Sequence, residues 1–333
     1  MLSRHVQVLV TGGHGFIGTH LVRLLLDEGA AVRCLYRRDG RPASLEGLDV
    51  EIVRGDVRDT AALRAAMDGV DEVHHLAGLT SAMTPTAMRA TNTEGTRNLL
   101  RAAADAGLDG RFVLCSSLAA VGPCAPGTLH HEDAERHPLT WYGESKRDAE
   151  DVAATFEADV PITIPRPPGV YGPRDQEFLT LFQAASRGWA LVPGRPDKRY
   201  SLVHAADLAA AFVAAARSDQ TVGRTYFACH PEVVTLEGLV EAAEAAVGRP
   251  TRRIRLPESF LFLFGRIGDL VSQWTGRSSV LGGQRMLEVA IGDWVCSPAA
   301  LERDTGWRAQ HDVTDGFRET VAWYREMGLV PPA

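Results

Sequence analysis

The chain has 333 residues, 45% of them hydrophobic and 23% charged, and a formal net charge of −7 at pH 7. That length buries a substantial core as one large or two smaller domains, and the acidic balance leaves no basic field to hold a nucleic acid. No apolar run approaches a membrane span and the N-terminus enters a strand without a signal-peptide pattern, so a cytoplasmic protein is expected.

In chain order, Val6-Gln7-Val8-Leu9-Val10 predicts a buried strand, and Phe16, Ile17, Leu21, Leu24 and Leu25 recur at helical spacing up to Gly29. Between them lies Thr11-Gly12-Gly13-His14-Gly15-Phe16-Ile17-Gly18. Strand, tight glycine turn and helix form a phosphate cradle: glycine adopts positive φ cheaply and lets a pyrophosphate approach the backbone. The helix N-terminus then offers N–H groups and the positive end of its dipole. Further strands are expected over 31–36, 50–56, 70–76 and 111–116, with helices over 61–67 and about 88–106. This alternation predicts an α/β, doubly wound parallel sheet of the Rossmann type, with ligands at the carboxyl ends of its strands.

Past Glu150 the pattern loosens. A sixth strand is expected over 161–166, a turn-rich loop over 167–173, and a return to the sheet layer over 200–217 and 223–229. The expected division is a dinucleotide-binding domain of residues 1–166 plus 200–229 and a smaller substrate-binding domain of 167–199 plus 230–333. The five cysteines, Cys34, Cys115, Cys124, Cys229 and Cys296, are scattered and never spaced as ligand pairs. Buried reduced thiols are expected at Cys34, Cys115 and Cys229. His14, His130, His131 and His204 lack partners at metal spacing, and no metal is expected.

Tyr142-Gly143-Glu144-Ser145-Lys146 places a phenol and an ammonium four residues apart on one helix face. A neighbouring ammonium is expected to lower the tyrosine pKa toward working pH, which suits acid/base catalysis. Ser116-Ser117, at the mouth of the fifth strand, offers a hydroxyl to a substrate oxygen. With Gly55-Asp56-Val57-Arg58-Asp59, His75-Leu76-Ala77-Gly78, Asn92-Thr93-Glu94-Gly95-Thr96 and Arg166-Pro167-Pro168-Gly169-Val170-Tyr171-Gly172-Pro173, these motifs resemble the extended short-chain dehydrogenase/reductases from end to end. These form the NAD-dependent epimerase/dehydratase family, and the resemblance is to its dihydroflavonol-reductase-like and 3-beta-hydroxysteroid-dehydrogenase-like members. It implies Tyr142 as acid/base, Lys146 holding the nicotinamide ribose and tuning Tyr142, and Ser117 polarising the reacting C–O group. It also implies cofactor contacts from Gly12, Gly15, Phe16, Ile17 and Gly18 in the turn, Asp56 and Val57 at adenine, Leu76, Ala77 and Gly78 along the cofactor path, and Pro167 and Val170 near the nicotinamide. Asn92 is expected to be structural.

Two departures from the family matter. Members that dehydrate nucleotide sugars carry an acidic pair after the catalytic hydroxyl, where this chain has Leu118 and Ala119. Members that use NAD place a carboxylate at the end of the second strand, where this chain has Tyr36, Arg37 and Arg38; guanidinium groups there suit a 2′-phosphate. NADP(H) is therefore expected, with NAD(H) as the alternative, since Asp39 stands nearby to serve a ribose. The expected activity is a hydride-transferring oxidoreductase that interconverts a carbonyl and a secondary alcohol of a small-molecule substrate. The alternative is a nucleotide-sugar epimerase and, more remotely, a dinucleotide-sensing protein without turnover. An apolar stripe of Phe260, Leu263, Phe264, Ile267, Val271 and Trp274, entered by Pro257, is expected to form the core of the small unit, to wall the cleft or to lie against lipid, and the few basic residues that accompany it weaken the lipid version. A homodimer through the two long helices, about 88–106 and 142–157, is what the resemblance implies.

Overall fold

The computed structural model describes residues 6–257, 259–263, 265, 266, 268 and 282–332. Its centre is a seven-stranded sheet whose pairings are all parallel. The strands are β1 (Gln7–Thr11), β2 (Ala31–Tyr36), β3 (Val50–Arg54), β4 (Glu72–His75), β5 (Phe112–Leu114), β6 (Ile162–Arg166) and β10 (Arg224–Phe227). They lie in the order β10-β6-β5-β4-β1-β2-β3. The chain winds outward from β1 to β3, then returns to β4 and winds the other way. The crevice between the carboxyl ends of β1 and β4 is thus the topological switch point, where such sheets bind ligands.

Helices cover both faces. On one, α1 (Phe16–Asp27) and α6 (Ala205–Arg217) enclose Val8, Val10, Leu21, Leu25, Leu208 and Phe212. On the other, α2 (Thr60–Ala66), α3 (Pro85–Asp105) and α4 (Trp141–Ala154) enclose Leu9, Leu63, Leu99, Phe112, Val152 and Ile164. Local chemistry sets the helix starts. Asp59 caps α2 by accepting from Ala61 and Ala62, Thr84 caps α3 ahead of Pro85, and Thr140 caps α4 by accepting from the Gly143 N–H.

The segment read as loop after β6 is more regular than its prolines suggest. It forms β7 (Gly169–Tyr171), α5 (Leu179–Ser186) and β8 (Trp189–Pro193) before β9 (Arg199–His204) leads into α6. Strands of three to five residues are too short for alternation to declare itself. β9 does not join the main sheet; it pairs in parallel with β7 and antiparallel with β11 (Val233–Thr235). Then come α7 (Leu236–Val247), β12 (Arg252–Leu256), which pairs in parallel with β8, and the helices α8 (Gly283–Ala290), α9 (Ala299–Thr305) and α10 (Val313–Glu326). Tyr171, Phe182, Phe317 and Tyr324 form the aromatic centre of this second layer. Leu301 and Trp307 instead pack into the core between the main sheet, α1 and α6. Of the apolar stripe, Phe264, Ile267, Val271 and Trp274 lie outside the described residues, whereas Phe260 and Leu263 are exposed.

Candidate active site

The glycine turn closes the β1 end of the crevice. Gly12 has φ +74°, and a Cβ there would stand 2.7 Å from the Ala77 nitrogen; one at Gly18 would stand 2.2 Å from the Gly12 oxygen. Both positions therefore require glycine, the first for conformation and contact, the second for close packing of the helix on the turn. α1 starts at Phe16 and Ile17 behind Gly15, with no side chain capping it and no acid in its first turn. Its first N–H groups face the crevice as an anion-binding end, which fits a dinucleotide pyrophosphate.

The turn is tied to the β4 end by a buried polar chain. Thr11 Oγ1 lies 2.6 Å from His75 Nδ1 and accepts from the Ala77 N–H at 3.2 Å, and His75 Nε2 lies 3.0 Å from Thr96 Oγ1. Burial pushes His75 down to about 3, with Lys146 adding to the effect, so the ring stays neutral. Leu76 and Ala77 follow on this wall, half-buried, and Gly78 is exposed.

At the end of β2, Arg37 and Arg38 are exposed, and Tyr36 meets the His14 ring edge-on, with centroids 4.9 Å apart. Burial lowers the His14 pKa, and the two guanidinium charges lower it further, which places both arginines in the electrostatic field of the glycine turn. Asp39 is drawn away to Arg54, 2.7 Å distant. Asp56 is clasped by Arg58, which holds its carboxyl below the usual carboxylate range. Val57 is buried against Gly95, where a Cβ would stand 2.6 Å from its methyl. Pro167 is buried, its carbonyl accepting from the Leu118 N–H at 2.8 Å, and Val170 packs on the main core.

Tyr142 and Lys146 lie one turn apart on α4, beside Ser117 at the end of β5. Ser117 hydrogen-bonds the Tyr142 phenol, and its Oγ also accepts from the Ala119 N–H at 3.1 Å. Lys146 is buried and donates to the Cys115 carbonyl at 2.7 Å, with its Nζ 6.0 Å from the Tyr142 ring centroid. The expected lowering of the tyrosine pKa is corrected here. Burial pushes the phenol above its ordinary value, the Cys115 thiol adds to this, and only the Ser117 hydrogen bond opposes it. Burial also lowers the Lys146 pKa, against the pull of Cys115 and Glu150.

Asn92 braces this wall. Its side chain accepts from the Leu79 N–H at 2.7 Å and donates to the Leu79 carbonyl and to Ser145 Oγ, each at 2.9 Å. Leu118 and Ala119, standing where dehydrating relatives carry acids, are buried in an apolar turn; a Cβ on Gly143 would stand 2.3 Å from the Ala119 oxygen.

Sequence reading missed a buried ionic knot below the site. Glu150 accepts from Arg166 Nε at 2.8 Å and Nη2 at 2.7 Å, from Arg136 Nη1 at 3.2 Å, and from Ser116 Oγ. A periodicity signal was present, since Tyr142, Lys146 and Glu150 succeed one another at four-residue intervals on one helix face. It also missed α8, whose Gln284 accepts from the Trp141 N–H at 2.8 Å and whose Glu288 accepts from Thr140 Oγ1 at 3.1 Å. All five cysteines are buried and free. Among the described residues one group gathers three ligand-type side chains, His204, His311 and Glu319. The two imidazoles stack at 4.2 Å and 29°, which sets their lone pairs side by side rather than toward one point, and His311 Nδ1 is engaged by Asp207 at 2.9 Å.

Comparison with known proteins agrees with this geometry. Over 324 residues, covering 97% of this chain and 96% of the relative, the chain is 35% identical to the ceramide reductase of Caulobacter vibrioides (strain NA1000 / CB15N). It is 26% identical to the UDP-glucose 4-epimerase of Vibrio cholerae, covering 95% of this chain and 94% of that one. The crystal structure of gox2253 superposes with a TM-score of 0.82 at 25% identity, covering 98% of this chain and 100% of that one. The model of the NAD dependent epimerase/dehydratase family matches residues 8–229. A glycine turn at the switch point, an α4 that presents Tyr142 and Lys146 to Ser117, and a family match spanning all of them have one reading: the chain belongs to the NAD dependent epimerase/dehydratase family.

Proposed function

We propose that the protein is an NADP(H)-dependent oxidoreductase that reduces a ketone on a hydrophobic, lipid-like skeleton to a secondary alcohol, and runs the reverse reaction when the oxidised cofactor is in excess. One observation carries the reading: Tyr142 and Lys146 stand one helical turn apart beside Ser117, with the lysine buried, at the edge of the crevice where the sheet reverses. When bound, the dinucleotide supplies the hydride to the carbonyl carbon.

The protein's own groups handle the oxygen. Ser117 donates a hydrogen bond to it, and Tyr142 passes it the phenolic proton as negative charge develops. The resulting phenolate is stabilised by the Lys146 ammonium and reprotonated from solvent. Gly12, Gly15, Phe16, Ile17 and Gly18 would hold the pyrophosphate, Asp56 and Val57 the adenine, Leu76, Ala77 and Gly78 the path between, and Lys146, Pro167 and Val170 the nicotinamide riboside. Arg37 and Arg38 would take a 2′-phosphate. That choice is supported by Asp39, three residues past the β2 end, being paired with Arg54. Residues 167–199 and 230–333 would supply the substrate side of the cleft.

A reductase is favoured over an epimerase by the similarity to the Caulobacter ceramide reductase, which extends over nearly the whole chain; the apolar turn at Leu118 and Ala119 argues against dehydration of a nucleotide sugar. The test is a screen of hydrophobic ketones and nucleotide sugars with NADPH and NADH, repeated with Tyr142→Phe. Net NADPH oxidation by a ketone is expected, falling by about two decades or more in the variant while cofactor binding persists. Interconversion of nucleotide-sugar epimers without net NADPH consumption, or near-normal turnover by Tyr142→Phe, would overturn the proposal.

A further inference from the structure

The small sheet of β8 and β12 has an unusual outer face. The strands run in parallel with Trp189 opposite Arg252 and Leu191 opposite Ile254, so these four side chains share one side. The inner side of β8 is filled, with Ala190 and Val192 buried against Val240 of α7. On the outer side, where solvent-facing strands normally carry polar residues, Trp189, Leu191 and Ile254 are 45%, 51% and 40% exposed. The chain leaves β12 through Leu256 and Pro257 into helical residues 259–263. There Leu261 is buried, while Phe260, Phe262 and Leu263 are exposed.

The two strands and their flanks are also rich in cations. Segments 187–195 and 249–257 hold Arg187, Arg195, Arg249, Arg252, Arg253 and Arg255 and no Asp or Glu, in a chain of net charge −7. Asp197 and Asp293 pair with Arg195, and Glu237, Glu241 and Glu244 pair with Arg253. No carboxylate among the described residues pairs with the other four, and the Arg252 guanidinium lies 5.9 Å from the Trp189 ring centroid.

We propose that this face docks on a bilayer containing anionic lipid, and that the ketone substrate is taken from that bilayer; this deepens the reductase reading and rests on it. Tryptophan and large aliphatic side chains settle at the boundary between headgroups and acyl chains, while arginines bind lipid phosphates. A second copy of the chain is a poorer occupant, because a two-fold contact sets the patch against itself and brings arginine toward arginine. The face also leads to the catalytic helix. A Cβ on Gly265 would stand 3.0 Å from Gly283 and 3.3 Å from Met286, so the helix that carries the exposed phenylalanines packs closely on α8. α8 in turn hydrogen-bonds Thr140 and Trp141, the two residues before Tyr142.

Vesicle flotation of the full chain tests this, with phosphatidylcholine alone and mixed with phosphatidylglycerol. The protein is expected to float with the mixed vesicles and to be released as salt rises from about 0.1 to about 0.5 M. Trp189→Ser/Leu191→Ser and Phe262→Ser/Leu263→Ser should each lower partitioning by about tenfold or more. Arg252→Glu, which reverses the charge beside Trp189 on this face, should weaken the preference for anionic vesicles. In all three variants turnover of a ketone embedded in vesicles should fall further than turnover of a water-soluble one; equal losses on the two substrates would count against the docking face. Wild type that reduces a soluble ketone but never floats would refute the docking face and leave the reductase standing. Flotation with no ketone reduced, soluble or embedded, would refute the substrate half alone. A dimer that the apolar substitutions dissolve, without vesicle binding, would assign the face to a second copy.

Discussion

Replacing Glu150 by Gln tests whether the buried knot holds the catalytic wall together. Its carboxylate serves four donors, with Ser116 Oγ and Arg166 Nε on one oxygen and Arg166 Nη2 and Arg136 Nη1 on the other. Whichever way a glutamine amide is turned, its NH2 confronts at least one guanidinium N–H that can only donate. The positive charge of Arg166, whose side chain is 5% exposed, then has no counter-charge at its fork. Removing one partner of such a pair costs about 3 to 5 kcal/mol. The lower end applies here, about 3 kcal/mol, because Arg136 is 32% exposed and water reaches that side of the knot. With an m-value of about 3 kcal/mol/M, the urea midpoint should fall by about 1 M. Turnover should fall with it, since Ser116 adjoins Ser117 and Glu150 lies one helical turn from Lys146. A Glu150→Leu/Arg166→Met double variant should recover most of the stability, because the desolvation cost disappears with both charges. A loss below about 1 kcal/mol in Glu150→Gln, or a double variant no more stable than the single, would show that the knot is not what holds these strands to α4.

Arg37→Ala should weaken NADPH binding by about 1.5 to 3 kcal/mol and leave NADH almost untouched; parallel cofactor titrations check this, and equal losses would refute a 2′-phosphate site. Acid should destabilise the fold through two buried histidines. His75 titrates at about 3 and His204 at about 4 in the folded state, both below the ordinary 6.5, so the unfolded chain takes up protons first as pH falls below about 6.5. Each therefore contributes stability that is fully present above about 6.5 and is lost by up to about 1.4 kcal/mol per pH unit on the way down to its folded value. Urea midpoints at pH 7 and pH 5 should show this slope, and His204→Gln should reduce it; an unchanged slope would contradict the assignment. A homodimer through α3 and α4 should give twice the 36.0 kDa monomer mass by light scattering at micromolar concentration, and a monomer mass there would refute it.

The main sheet was legible because its central strands are buried almost throughout. Val8-Leu9-Val10 and Phe112-Val113-Leu114 are continuous apolar runs, as parallel strands covered on both faces must be. The second layer was not legible in the same way. β7 and β11 have three residues each, β8 exposes apolar residues on one face and β12 is exposed along nearly its whole length, so neither length nor burial leaves a strong pattern. The apolar stripe from Phe260 onward was read with few basic residues beside it; the arginines adjacent to its start, in β12 and around β8, enter only once the parallel pairing is known.

Within the site, the order of legibility follows how directly chemistry constrains the local sequence. Gly12 and Gly18 had to be glycine because of contacts made within one turn, so the motif shows itself without tertiary information. Tyr142 and Lys146 were visible as a pair four residues apart, but the sign of their coupling was not. Spacing sets the phenol and the ammonium on one face; it does not report that Lys146 points at the Cys115 carbonyl or that burial outweighs its charge. That difference matters for function. A raised phenol pKa favours the protonated form, the form that would donate to a carbonyl oxygen. The same burial keeps His75 neutral below the glycine turn, leaving Lys146 to carry the positive charge that a departing phenolic proton would require.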